Sequence, residues 1–154
     1  MEIVLSVVSL AISVLGFAFS LISFISCARR ERKEATLEAY SKLQSEALDM
    51  LNLYTKKSIM EIAENPRTSE YKEISSLLAR CEHFSVGVNE GIYDKKVLKK
   101  LSGRYFISLF EKLEPMVLKK RSMGHQERYY ESFELLAKAF EKRLLKQAAK
   151  NRSL

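Results

Sequence analysis

From Ile3 to Ala28 the chain carries no charged side chain. Nothing else in the sequence restricts the fold as much. About 20 apolar residues in a helix are enough to cross the hydrocarbon core of a bilayer, and this run exceeds that length. A buried helix of a water-soluble domain would show a polar, charged face, and this segment has none. A signal peptide wants a basic leader before a shorter apolar core. Here only Met1 and Glu2 precede the run. The stretch "FISC", ending at Cys27, resembles a lipoprotein cleavage box, but the basic leader is missing there too. Residues 1–28 are therefore expected to form a single transmembrane helix.

The flanks give an orientation. Arg29, Arg30, Arg32 and Lys33 follow the run at once, whereas the other side offers only Glu2 and the terminal amine. By the positive-inside rule the C-terminal part faces the cytoplasm, with the N-terminus outside the inner membrane. The two-residue leader is easy to translocate. The four cations are also candidate contacts for anionic lipid headgroups, each worth about 1 kcal/mol near such a surface. The part after the span holds 26 basic and 18 acidic side chains, a net charge of +8. Basic clusters recur at "KKVLKK", "LKKR" and "KRLLKQAAKNR". The plain reading of this charge is a solvated basic surface on a tethered domain. No nucleic-acid motif accompanies it, so nucleic acid is not the expected partner.

The span has an internal pattern. Ser6, Ser9, Ser13, Gly16, Ser20 and Ser23 alternate at steps of three and four, and Cys27 continues the series. Such a repeat keeps small residues on one left-handed seam. Helices in lipid associate through close backbone approach and interhelical hydrogen bonds, which small residues permit. The expected partner of the seam is a second copy of the chain or another membrane protein. The competing reading is a monomeric span in which each hydroxyl bonds the carbonyl one turn back.

Five glycines and two prolines in 154 residues favour long helices over a turn-rich sheet. Nothing breaks a helix between Arg29 and Asn65, and Tyr40, Leu43, Ala47, Met50, Leu51 and Tyr54 recur at helical spacing. A heptad projected from the serine seam reaches Arg30, Glu34, Leu37, Ser41, Gln44, Leu48 and Leu51, which is too polar for a strong zipper. The membrane face and the bundle face of this helix should thus differ by about one residue, or 100°. "ENPRTSE" stops the helix and supplies a Thr or Ser cap. A second helix is predicted over about 69–90, with Tyr71, Ile74, Leu77, Leu78, Cys81, Phe84 and Val88 inward. At the next corner Gly91 can adopt a left-handed conformation and Asp94 can cap the third helix. That helix, about 95–121, carries Val97, Leu98, Leu101, Tyr105, Ile107, Leu109, Phe110, Leu113 and Val117, with Pro115 as a kink or a late start. "SMGHQ" breaks it. The last helix, about 126–150, carries Tyr129, Phe133, Leu136, Ala137, Phe140 and Leu144. The expected division is a span at 1–28, a long juxtamembrane helix at 29–65, the remaining helices at 66–150 and a tail at 151–154. The fold class is all-α, an N-terminal transmembrane helix followed by an antiparallel cytoplasmic bundle.

Catalysis needs convergent polar groups with defined roles. The two histidines, His83 and His125, offer little. "CEH" at 81–83 brings a thiol, a carboxylate and an imidazole together, but consecutive helical residues do not face one another. Cys81 reads as core, His83 as flank and His125 as exposed in a break. Helical ribonucleases of toxin and defence systems place an Arg and a His four to six residues apart. Counted as intervening residues, that spacing is four to six, whereas Arg80 and His83 have two between them and Arg121 and His125 three. There is no phosphate loop, no Ser-His-Asp set and no paired-cysteine metal motif. No catalytic residue, cofactor or metal ligand is assigned. Cys27 and Cys81 make no disulfide framework and fit a reducing compartment.

Three stretches, "LLARCEHFSVGVNEGIYDKKVLKKL", "LFEKLEPMVLKKR" and "RYYESFELLAKAFEKR", resemble a family of short bacterial membrane-anchored proteins of unknown function. The matching positions are Gly91, Ile92, Tyr93, Asp94, Pro115, Arg121, Tyr130, Phe133, Glu134, Leu136 and Ala137. "CEHF" departs from the more apolar approach to the glutamate in that pattern. The resemblance spans about residues 37–143. It implies a single-pass anchor and an α-helical cytoplasmic domain, with no activity attached. The leading expectation is a membrane-anchored interaction or scaffold module that self-associates through its span. The alternative is a membrane-tethered effector, enzymatic or membrane-perturbing, as in phage defence or exclusion. A candidate polar corner of Glu82, Glu90, Asp94, Arg121 and Glu134 separates the two: convergence in one cleft favours the effector.

Overall fold

The computed structural model describes residues 2–124 and 126–152, so the expectation for His125 lies outside the described residues. Among them are five helices and no strand: α1 (Glu2–Leu53), α2 (Lys56–Ala63), α3 (Ser69–Asn89), α4 (Lys95–Gly124) and α5 (Glu131–Arg152).

Helix α1 joins two environments without a break. Every described side chain from residue 6 to residue 35 is exposed, and burial begins at Thr36. Phe17, Phe19 and Phe24 are among the bare side chains. This N-terminal portion is long and apolar enough to cross a membrane. Beyond it Thr36, Tyr40, Leu43 and Ala47 turn into the core, while Leu37, Ser41 and Leu48 stay exposed. The covered face and the continuation of the serine seam are therefore different faces of one helix.

The long juxtamembrane helix expected over 29–65 is in fact two helices. It stops at Leu53, and Thr55 opens α2 with an extended backbone, accepting from the amide of Ser58 while Ser58 Oγ accepts from the amide of Thr55. This capping box closes the break without Gly or Pro. Helix α2 buries Ile59 and Ala63 and is tied to α4 by Lys56–Glu114 at 2.9 Å and Lys119–Glu64. Thr68 then caps α3 through the amide of Tyr71.

Helix α3 runs antiparallel to α1, with Arg80 on Glu46 at 2.8 Å and the Phe84 ring 6.3 Å from Tyr40. All seven apolar residues expected inward on α3 are buried. Helix α4 continues through Pro115, and α5 returns antiparallel to it. Their shared core is aromatic. Phe106 lies edge-on to Phe133 at 5.1 Å and to Phe140 at 6.1 Å, and Phe110 lies edge-on to Phe133 at 5.2 Å. Such edge contacts add to the area that large rings bury. Two corrections apply here. Leu101, expected inward, is exposed, and Phe106, not singled out from the pattern, is fully buried at the centre. The last helix begins at Glu131 rather than near 126, so Tyr129, expected in its apolar series, precedes it and is exposed, and the helix absorbs two residues of the expected tail.

Candidate functional site

The seam residues lie on the bare part of α1. Ser13 Oγ donates to the Ser9 carbonyl and Ser20 Oγ to the Gly16 carbonyl, each at 2.9 Å. These two hydroxyl protons are thus spent inside the helix, as the competing reading has it. What the seam retains is its small profile: a methyl group added at Gly16 would meet nothing within 4 Å.

Just beyond the apolar run, α1 is fastened to the corner between α3 and α4. Thr36 Oγ1 donates to the Arg32 carbonyl at 2.6 Å and accepts the Asp94 amide at 2.7 Å. Arg32 reaches the Gly91 carbonyl at 3.4 Å. Gly91 has φ 77°, a left-handed value that L-residues with a side chain rarely adopt. The chain can then fold Tyr93 back over Gly87, where an added Cβ would stand 2.6 Å from the ring. Tyr93 stacks on Phe84 at 5.2 Å. Asp94 caps α4, its Oδ1 accepting from Lys96 at 2.8 Å and Val97 at 3.2 Å. Desolvation opposes ionisation of this carboxyl, but the Val97 and Lys96 amides, helped by Arg32 and Lys33, carry its pKa below the ordinary value. Arg29, Arg32 and Lys33 line a cavity of about 560 Å³ with this corner and with Lys95 and Lys96. Arg30 instead pairs with Glu34 at 2.9 Å along α1.

The five residues of the candidate polar corner do not form one cleft. Glu82, Arg121 and Glu134 meet at the first turn of α5. Glu82 accepts from the amides of Ser132 at 3.1 Å and Phe133 at 2.8 Å. Tyr130, which precedes α5, holds φ 61° and has no short side-chain oxygen to cap a helix. A carboxylate from α3 therefore satisfies amides that would otherwise lack partners. Arg121 donates to the Tyr129 carbonyl at 2.9 Å and to Glu134 at 2.7 Å, and Lys138 holds the other Glu134 oxygen. Glu90 and Asp94 belong elsewhere: Glu90 ends α3, and Asp94 faces α1. The polar atoms of the cluster are engaged with one another and with the backbone, as structural ties.

"CEH" splits three ways. Cys81 is fully buried, Glu82 caps α5, and His83 is exposed on the rim of a shallow groove with Arg80 and Glu46. Burial pushes the Cys81 thiol up to about 12, so it is a poor nucleophile. Among the described residues no group of His, Cys, Asp and Glu is arranged to hold a metal ion. Thr36 is the functional-looking residue that sequence reasoning passed over. Its only signal was a lone hydroxyl amid the charged "RKEATLEAY".

No curated protein and no solved structure matches the chain. A family pattern described as a domain of unknown function, DUF4760, matches residues 8–140, from the apolar run to the middle of α5. The corner at 91–94 and the ties at Arg121 and Glu134 fall within that stretch, and the chain belongs to the DUF4760 family.

Proposed function

We propose that this chain is a single-pass membrane protein, N-terminus outside, whose helical bundle works at the cytoplasmic face as an interaction module and associates through its span. The observation that carries this reading is α1. One unbroken helix is bare from residue 6 to residue 35 and packed from Thr36 onward. Water does not favour so large a continuous apolar surface, and a bilayer or a partner helix would cover it. The cationic residues Arg29, Arg32 and Lys33 stand on the bundle side of the apolar run that ends at Ala28, which supports the inward orientation of the bundle. The exposed flank at Leu37 and Leu48 leaves room for a second copy alongside the first.

Cysteine accessibility tests this. In a Cys27→Ser background the buried Cys81 is protected, so a cysteine at Leu145 reports alone. In intact cells it should resist a membrane-impermeant thiol reagent and react after permeabilisation. Labelling without permeabilisation would reverse the orientation.

A further inference from the structure

Helices α4 and α5 enclose a second basic cavity, of about 710 Å³, between the first half of α4 and the last half of α5. Lys96, Lys99, Lys100, Arg104 and Arg143 line it, and no carboxylate does. None of the five forms an ion pair with another described residue. Lys96, Lys100 and Arg104 follow one another at i, i+4, a spacing at which like charges destabilise a helix. Leu101 and Leu144 also line the cavity, so cationic and aliphatic side chains share its lining. Phe140 is only 1% exposed and offers no open ring face on which a base could stack.

Position narrows the ligand further. Lys96 also lines the juxtamembrane cavity with Arg29, Arg32 and Lys33, so the two basic surfaces are continuous. Thr36, which holds the α4 cap, lies eight residues past Ala28, about 12 Å along the helix. The start of α4 therefore stands roughly one Debye length from the end of the apolar run.

We infer that the α4–α5 groove binds the phosphate group of an anionic amphiphile, a phospholipid of the membrane that α1 enters; this rests on the membrane-anchored reading above. The cations bind the phosphate, and Leu101 and Leu144 take the first carbons of the attached chain. Phosphate in solution shares the first contact and lacks the second.

The test uses the full chain in detergent micelles holding equal amounts of phosphatidylglycerol and phosphatidylcholine, with retained lipid read by native mass spectrometry. Phosphatidylglycerol should be retained preferentially. The variant K99Q/K100Q/R143Q should lose tenfold or more of that preference, on the basis of about fivefold for each cation. The variant K57Q/R67Q/K72Q, with the same charge change outside the groove, should keep it, and K99R/K100R should too. Equal loss in both glutamine variants, or no preference in the native chain, overturns the inference. Displacement by glycerol phosphate at equal concentration overturns the lipid source, and stronger displacement by a short single-stranded RNA overturns the ligand class. Alkaline extraction from phosphatidylcholine vesicles is read in parallel. A chain that washes off overturns the anchored reading and this inference together, whereas one that stays inserted without lipid preference overturns this inference alone.

Discussion

Glu134 bridges two cations, and its pair with Arg121 is mostly shielded from water while Lys138 is exposed. The Lys138 hydrogen bond first, and that of Arg121 second, hold its pKa below the ordinary 4.5, against a smaller desolvation effect. A carboxylate depressed on folding stabilises the fold above its unfolded pKa, and that stability is lost as pH falls through the folded value. Glu134→Gln should therefore cost about 1 kcal/mol at pH 7, and the difference from the native chain should shrink below pH 4.5. Urea midpoints of the full chain in detergent at pH 7 and pH 3.5 check this. A constant gap would mean the glutamate acts through packing. Neither Glu82 nor Thr36 was legible as a tie from the sequence, for one reason. Each bonds a backbone amide 50 or more residues away, and no local pattern marks such a partner.

At the scale of elements, Gly91 is the clearest test. Its φ is 77° and no neighbour crowds it, so Gly91→Val should act through backbone strain alone. A loss of about 1 kcal/mol or more is expected, read as a lower melting temperature of the full chain. An unchanged melt would mean the corner can rearrange. The seam of α1 supplies a second test. Isoleucine at Ser13 and Gly16 should weaken span association in a membrane two-hybrid assay, whereas isoleucine at Val14 and Ala18 should not. Equal effects would make the stripe incidental. With Ser13 and Ser20 already bonded internally, the loss should reflect packing more than hydrogen bonding. The corner at 91–94 and the inward face of α3 were readable because glycine, an Asp cap and regular spacing coincide there. The break after Leu53 was not, because a Thr-Ser capping box has neither glycine nor proline to announce it. On α4 too many apolar residues compete for the inward face, so Leu101 was over-read and Phe106 overlooked.

At the scale of the whole molecule, residues that resemble a family signature turn out to hold the bundle together. Asp94 caps α4, Arg121 and Glu134 tie α4 to α5, and Phe133 sits in the aromatic core. The candidate site therefore had to be sought on the surface between elements, where pattern gives little guidance. The unbroken α1 has a mechanical meaning too. With no break between its apolar stretch and the bundle, the helix is a shaft, and torsion at one end becomes torsion at the other. Each inserted residue turns the bundle about 100° and lifts it about 1.5 Å. Leu37 continues the heptad series of the small-residue seam, drifting from it by about 20° per heptad along a straight helix. Cysteines placed there should crosslink between copies in the native chain. Two alanines inserted after Ala28 should abolish the crosslink, and four should largely restore it, since four residues turn the helix by little more than one revolution. A steady decline with insert length would mean the shaft bends. If it does not bend, the phase of one long apolar helix sets which side of the bundle every neighbour meets.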